Sequence, residues 1–248
     1  MLHSFIRRYT HRLLVLVPIV LCTGQAVATP ACPNARVAPG DRPSAANQDH
    51  VIKAVIEAPV WKTITVGGSK GVNAIREAID NAPCRMVIGE EADEILGRPT
   101  FPFIKTPVEV DLVVLSVFQL GFGDQVTGDD ILPGAGVEVS LRDIYARALA
   151  IGFELCPAEV GPALRLSYLD QPVGEFLHIA MKPVARYTGE LVNFTVGSGG
   201  AELLLVGGNG DPDVMYPGVV RFVFVRPRAD SIVAGGSHEV GQGLALRR

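Results

Sequence analysis

The stretch ELCPAEVGPALRLSYLDQPVGEFLHIAM, Glu154 to Met181, gathers Cys156, Glu159, Glu175 and His178 within 28 residues. Those side-chain types could serve a thiol nucleophile with its base, a metal ion, or a carboxylate pair acting on a glycoside. A thiolate–imidazole pair would have to use His178, the only histidine between His50 and His238. If this part is a strand, His178 shares a face with Phe176 and Ala180, and Leu177, Ile179 and Met181 take the other. A histidine so placed reads more simply as a satisfied strand residue. Cys156, between Leu155 and Pro157, reads as a small buried side chain at a turn. Metal binding lacks every H-x-x-x-H, H-E-x-x-H or C-x-x-C spacing, so neither metal nor cofactor is expected. Glu159 and Glu175 as a glycosidase pair lack stacking partners, since Tyr168 and Phe176 are the local aromatics. Bland roles exist for all of them, including an ion pair of Arg165 with Glu159 or Asp170.

A sharper catalytic pattern lies elsewhere. Gly67-Gly68-Ser69-Lys70-Gly71 matches G-x-S-x-G between an expected strand and an expected helix, the context of a nucleophile elbow. Asp211 or Asp213, then His238, would complete the serine, acid, histidine order. Only about twenty residues that look structured precede Ser69, too few for the strands an α/β-hydrolase places there. Ala54-Val55-Ile56 could supply one. His238 sits in a Gly-rich tail with nothing apolar to position it. The competing reading is a glycine-rich turn into a helix whose free amides could at most attract an anion. Neither G-x-G-x-x-G nor a P-loop is present. Gly207 to Asp213, GGNGDPD, reads as a hairpin turn rather than a calcium loop.

The elements that must carry these residues follow from periodicity. Lys62–Val66 is expected as a strand, Val72–Asn81 as a helix stopped by Pro83, and Glu90–Leu96 as a second helix closed at Gly97. Glu109–Phe118 contains the apolar run of a buried strand. Ser140, with Asp143 three residues on, caps a helix to Ala150. Four strands then follow: Phe176–Met181, Leu191–Val196, Ala201–Val206 and Val219–Val225. Helices first and strands later predict an α+β fold, with helices in the N-terminal half packed on a small antiparallel β-meander in the C-terminal half.

Arg7, Arg8 and Arg12, the apolar run Leu13–Cys22 and Ala26-Val27-Ala28 have the layout of a secretory signal peptide over residues 1–28. Residues 29–59 read as a mobile Pro/Ala-rich arm, 60–228 as a single domain, and 229–248 as a flexible tail. Residues 1–28 hold three of the 22 basic side chains and none of the 26 acidic ones, so without them the net charge moves from −4 to −7. An acidic chain without a basic tract is a poor ligand for nucleic acid. No later run is long and apolar enough for a membrane-spanning helix. The expected location is therefore periplasmic or extracellular. There Cys32, Cys84 and Cys156 leave an odd thiol, and Cys84–Cys156 is the preferred disulfide, with two buried free thiols as the alternative.

Leu155-Cys-Pro-Ala-Glu-Val-Gly-Pro162, Tyr168-Leu-Asp-Gln-Pro172, Gly174-Glu175, His178-Ile-Ala-Met181 and Arg221-Phe-Val-Phe-Val-Arg-Pro-Arg228 resemble segments shared by a group of uncharacterised bacterial proteins. The resemblance extends from about Trp61 to Arg228 and leaves out the loop holding Ser69. It implies one continuous domain and no particular activity. The expected function is a non-enzymatic exported domain that binds a protein partner or a small ligand. The alternatives are a small hydrolase using Ser69 or Cys156, and a structural protein of the envelope.

Overall fold

Val72, Ile75 and Ile79 recur at helical spacing, and the computed structural model, which describes residues 51–123 and 137–228, forms a helix there with Ile75 and Ile79 buried. The element order is β1 (Lys62–Val66), α1 (Val72–Asp80), β2 (Met86–Ile88), α2 (Glu90–Leu96), β3 (Val108–Ser116), β4 (Glu138–Ser140), α3 (Leu141–Ala150), α4 (Val160–Ser167), β5 (Phe176–Ile179), β6 (Val184–Ala185), β7 (Leu191–Ser198), β8 (Leu203–Asn209), β9 (Met215–Pro217) and β10 (Arg221–Arg226). The expected signal segment, Cys32, His238 and the expected tail lie outside the described residues. Ala54-Val55-Ile56 is not a strand; Val55–Glu57 makes a 3-10 turn instead.

The helix caps behave as their chemistry requires. Ser140 Oγ accepts the Asp143 amide at 3.2 Å, and its hydroxyl donates to Asp143 Oδ2 at 2.7 Å, starting α3. Glu90, Glu91 and Asp93 crowd the first turn of α2, where negative charge meets the positive end of the helix dipole.

The expected layout of N-terminal helices on a C-terminal antiparallel meander is incorrect. Strands predominate, and both halves of the chain feed one mixed sheet in the order β1-β3-β10-β5-β7-β8-β2, with β6 beside β7. The sheet curls into a half-barrel. Only β5, β7 and β8 pair antiparallel in the expected succession. The last strand, β10, instead enters the sheet between β3 and β5, antiparallel to the first and parallel to the second. β2 lies parallel to β8 at one edge. The pairings of β10 with β3 and of β2 with β8 join residues more than a hundred positions apart, such as Val223 with Val114, so no local pattern signals them.

Alternation along the strands sorts the core into two faces. Leu112, Leu177, Ile179, Phe194, Val196, Val223 and Val225 point to one side, where α1, α2 and α4 cover them. Val113, Leu115, Phe222 and Phe224 point to the other, beneath α3 and the β4–β9 ribbon. Ile52 and Ala58 also pack on this second face, and Arg226 Nη1 donates to Ala58 O at 2.8 Å.

Helix α4 is the element that local reading missed, because Pro157, Gly161 and Pro162 look like loop punctuation. Proline is tolerated in a first helical turn, where its missing N–H would lack an intrahelical partner anyway. Gly161 is there for contact: a Cβ would stand 2.5 Å from Phe194 Cδ2, so only glycine lets α4 lie directly on β7.

The expected Cys84–Cys156 disulfide does not form. Cys156 is a free thiol buried in the helix-covered core, whereas Cys84 packs with Leu203 in a separate small cluster.

Two predictions follow from these contacts. Alanine is the better helix former by about 1 kcal/mol, but the clash with Phe194 should outweigh it. Gly161→Ala is therefore expected to lower unfolding stability by about 1–3 kcal/mol in urea titration; a gain would show that α4 does not press on Phe194. The second concerns Asp111, which takes 2.9 Å bonds from Arg228 Nε and Nη2 and a 2.7 Å bond from Thr63 Oγ1. Arg228, and after it Thr63, hold the Asp111 carboxyl down to about 2. A depressed carboxyl contributes stability above its unfolded value of about 3.9 and loses it as pH falls through about 2. Asp111→Asn should therefore lower the melting temperature at pH 7 and flatten the wild-type decline between pH 4 and pH 2. Because Arg228 is partly exposed, the effect should be modest and weaken with salt.

Candidate functional site

Cys156, Glu159, Glu175 and His178 do not converge on one cleft. Cys156 donates its backbone amide to Ala180 O at 2.6 Å and its thiol to Val223 O at 3.3 Å, within the helix-covered core. Burial pushes the thiol far above its ordinary range, so it offers no thiolate at neutral pH. His178 projects from the opposite face of the sheet, as strand alternation predicts. Its ring packs on Tyr216 and Phe222, with centroids 5.1 and 5.3 Å away, and its Nδ1 lies 3.1 Å from Thr195 Oγ1. Burial lowers its pKa to about 4, leaving the imidazole neutral near pH 7. The sheet itself separates Cys156 from His178, so these two form no thiol–imidazole pair.

Glu175, Tyr168, Gln171 and Arg165 form a structural network rather than a reaction centre. Arg165 is fully buried and does not pair with Glu159 or Asp170. Its Nη1 donates to Gln171 Oε1 at 2.6 Å and Gly197 O at 3.0 Å, and its Nη2 donates to the Tyr168 carbonyl. Gln171 Nε2 in turn donates to Glu175 O and Val196 O, both at 3.2 Å. Tyr168 Oη donates to Glu175 Oε2 at 2.8 Å, and Arg221 reaches Glu175 Oε1 at 3.0 Å. Desolvation brings the Arg165 guanidinium down to about 10, still cationic at neutral pH. The whole set clamps the turn after α4 against β7.

Ser69 sits in the strand–turn–helix context of an elbow, but the turn has another cause. Gly67 and Gly68 have φ of 86° and 72°, and a Cβ on Gly67 would meet Ile104 Cγ2 and Thr106 O at 2.8 Å. The glycines let the turn pack on the Ile104–Pro107 segment, and Gly68 N–H donates to Ile104 O at 2.9 Å. Ser69 Oγ is occupied locally, donating to Gly71 O at 3.2 Å and accepting Gly71 N–H at 3.3 Å. Among the described residues His178 is the one histidine, on the far side of the sheet. Asp211 accepts the Asp213 amide at 2.8 Å, and Asp213 pairs with Arg142 at 2.6 Å, so both acids serve the turn before β9. That turn does not close a hairpin, since β9 pairs with β4. No group of three His, Cys, Asp or Glu able to hold a metal occurs among the described residues.

One concave feature does join the two motifs. Between α1 and α4, at the end of β1, lies a groove with a cavity volume of about 260 Å³. Ala74, Ile75 and Ala78 line it from α1, and Pro162, Ala163 and Leu166 from α4. Ser69 and Glu159 also line it. Glu159, which begins α4, is 3 % exposed, and its Oε2 accepts the Ile104 amide at 2.6 Å. Burial raises its pKa, with the Ile104 hydrogen bond opposing. Ile104 thereby links both motifs through its backbone, accepting from Gly68 and donating to Glu159. Neither motif taken alone pointed to this groove, although Ser69 and Glu159 were both among the residues singled out. What a sequence reader could have noticed was small residues at helical spacing in α1, Ala74 and Ala78, opposite Ala163.

No family model, no curated protein and no solved structure matches this chain.

Proposed function

We propose that the protein is an exported, non-enzymatic binding domain that acts in the periplasm or outside the cell and seats a small ligand in the groove between α1 and α4. The observation that carries this reading is the groove: mostly apolar walls with a single buried carboxyl is the usual composition of a small-molecule site. Its volume of about 260 Å³ falls just under the usual pocket range and suits only a small ligand. The export part rests on the signal-like segment 1–28. The hydrolase alternative has one point in its favour, since Ser69 and Glu159 share the groove. Against it stand the local hydrogen bonds of Ser69 and the position of His178 behind the sheet.

Small apolar fragments titrated into isotope-labelled protein should shift the amides of Ala74, Ala78 and Ala163, and Ala163→Phe, which fills the groove, should abolish those shifts while the fold persists. Fragment shifts centred elsewhere, or unchanged in the filled variant, would remove the groove from consideration. A fluorophosphonate is expected to leave the folded protein unlabelled, and a thiol-alkylating reagent to reach Cys156 only after unfolding. Labelling that disappears in Ser69→Ala would establish the hydrolase reading instead.

A further inference from the structure

Glu159 has a second carboxylate oxygen without a partner. Its Oε2 takes the Ile104 amide at 2.6 Å, and the side chain makes no other hydrogen bond or ion pair among the described residues. It does not cap α4, although it stands at the head of that helix. The residue is nevertheless 3 % exposed. The Ile104 amide gives the fold a use for one carboxylate oxygen, and the other, which is not closed off from solvent, is left to whatever enters the groove. Glu159 lines the groove, whose α1 and α4 walls are entirely apolar.

We infer that the groove takes a small primary amine, with its alkyl body between α1 and α4 and its ammonium on Glu159. This rests on the groove being a binding site. A hydroxyl would fill the same position, but a charged donor on a carboxylate makes the stronger hydrogen bond, and more so where water is excluded. A quaternary ammonium is disfavoured because no aromatic ring lines the groove to receive it. An anion would meet the Glu159 charge with no cationic side chain in the lining to offset it. Glu159 is also the only acidic or basic side chain in the lining, since its neighbours from β1, the Gly67–Ser69 turn, α1 and α4 are apolar, glycine, serine or threonine. The amine needs the carboxylate form, and burial raises the Glu159 pKa. Binding should therefore weaken as pH falls through a value above the ordinary carboxylate range.

The test is calorimetric titration of the full chain with n-hexylammonium, 1-hexanol and hexanoate at pH 7, in wild type and Glu159→Gln. Hexylammonium should bind about tenfold or more tightly than hexanol. Glu159→Gln, which keeps an acceptor for Ile104, should erase that preference while hexanol binding persists. Equal affinity of amine and alcohol in wild type, or an unchanged preference in Glu159→Gln, would overturn the amine assignment and leave the groove standing. Hexanoate binding that strengthens on acidification would overturn it too, by showing a neutral Glu159 acting as donor. If none of the three binds wild type, the groove reading and the amine assignment both fall. Should Glu159→Gln not fold, the wild-type affinities of the three probes between pH 4 and pH 7 decide: only a loss of amine preference with falling pH sustains the assignment.

Discussion

Everything in this fold depends on where β10 inserts. β1 and β3 form one antiparallel unit, and β5, β7 and β8 form another, yet neither is a complete sheet. β10 bonds to β3 on one side and β5 on the other, so the last described strand makes the two units continuous. Its residues also serve both cores. Val223 and Val225 reach the helix-covered face, and Phe222 and Phe224 reach the face beneath α3. A strand buried on both faces is uniformly apolar, which is why Arg221–Arg226 reads RFVFVR.

The stretch from Glu154 to Met181 takes its meaning from that insertion. Glu154 exchanges backbone hydrogen bonds with Val225, and Cys156 bridges to Met181, so its start is stitched to the sheet. α4 then leaves the sheet to lie on Phe194, and the Arg165 network brings the chain back to begin β5. Residues that look catalytic in one dimension are therefore assigned to holding a crossover in place. A fully buried guanidinium is tolerable here because carbonyl and amide oxygens take up both of its terminal nitrogens, although Nε is left without a partner. Glu159 is the exception within the stretch, having one oxygen bonded and one facing open space.

Local physics was legible wherever it decided the outcome. β1, α1, α2 and α3 lie within a residue of their expected bounds, because apolar spacing, a Ser140 cap and glycine or proline stops act over a few residues. Strand parity also placed His178 with Ala180, away from Leu177 and Ile179. α4 was not legible, because its glycine and prolines answer to Phe194 rather than to helix propensity. The turn at Ser69 was ambiguous for a similar reason. Glycines that permit a nucleophile elbow also permit close packing on Ile104, and only the packing partner distinguishes the two.

The amino-acid sequence by itself determined the elements, their apolar faces and the charge of the chain, since these depend on neighbours within a turn or two. The tertiary structure alone decided the strand order, the two-sided core and the meeting of α1 with α4. Each of these joins residues distant in sequence, where loop-closure entropy and packing, not local preference, select the partner. The groove belongs to that second class: Ser69 and Glu159 became neighbours only because β1, α1 and α4 share one face of the sheet.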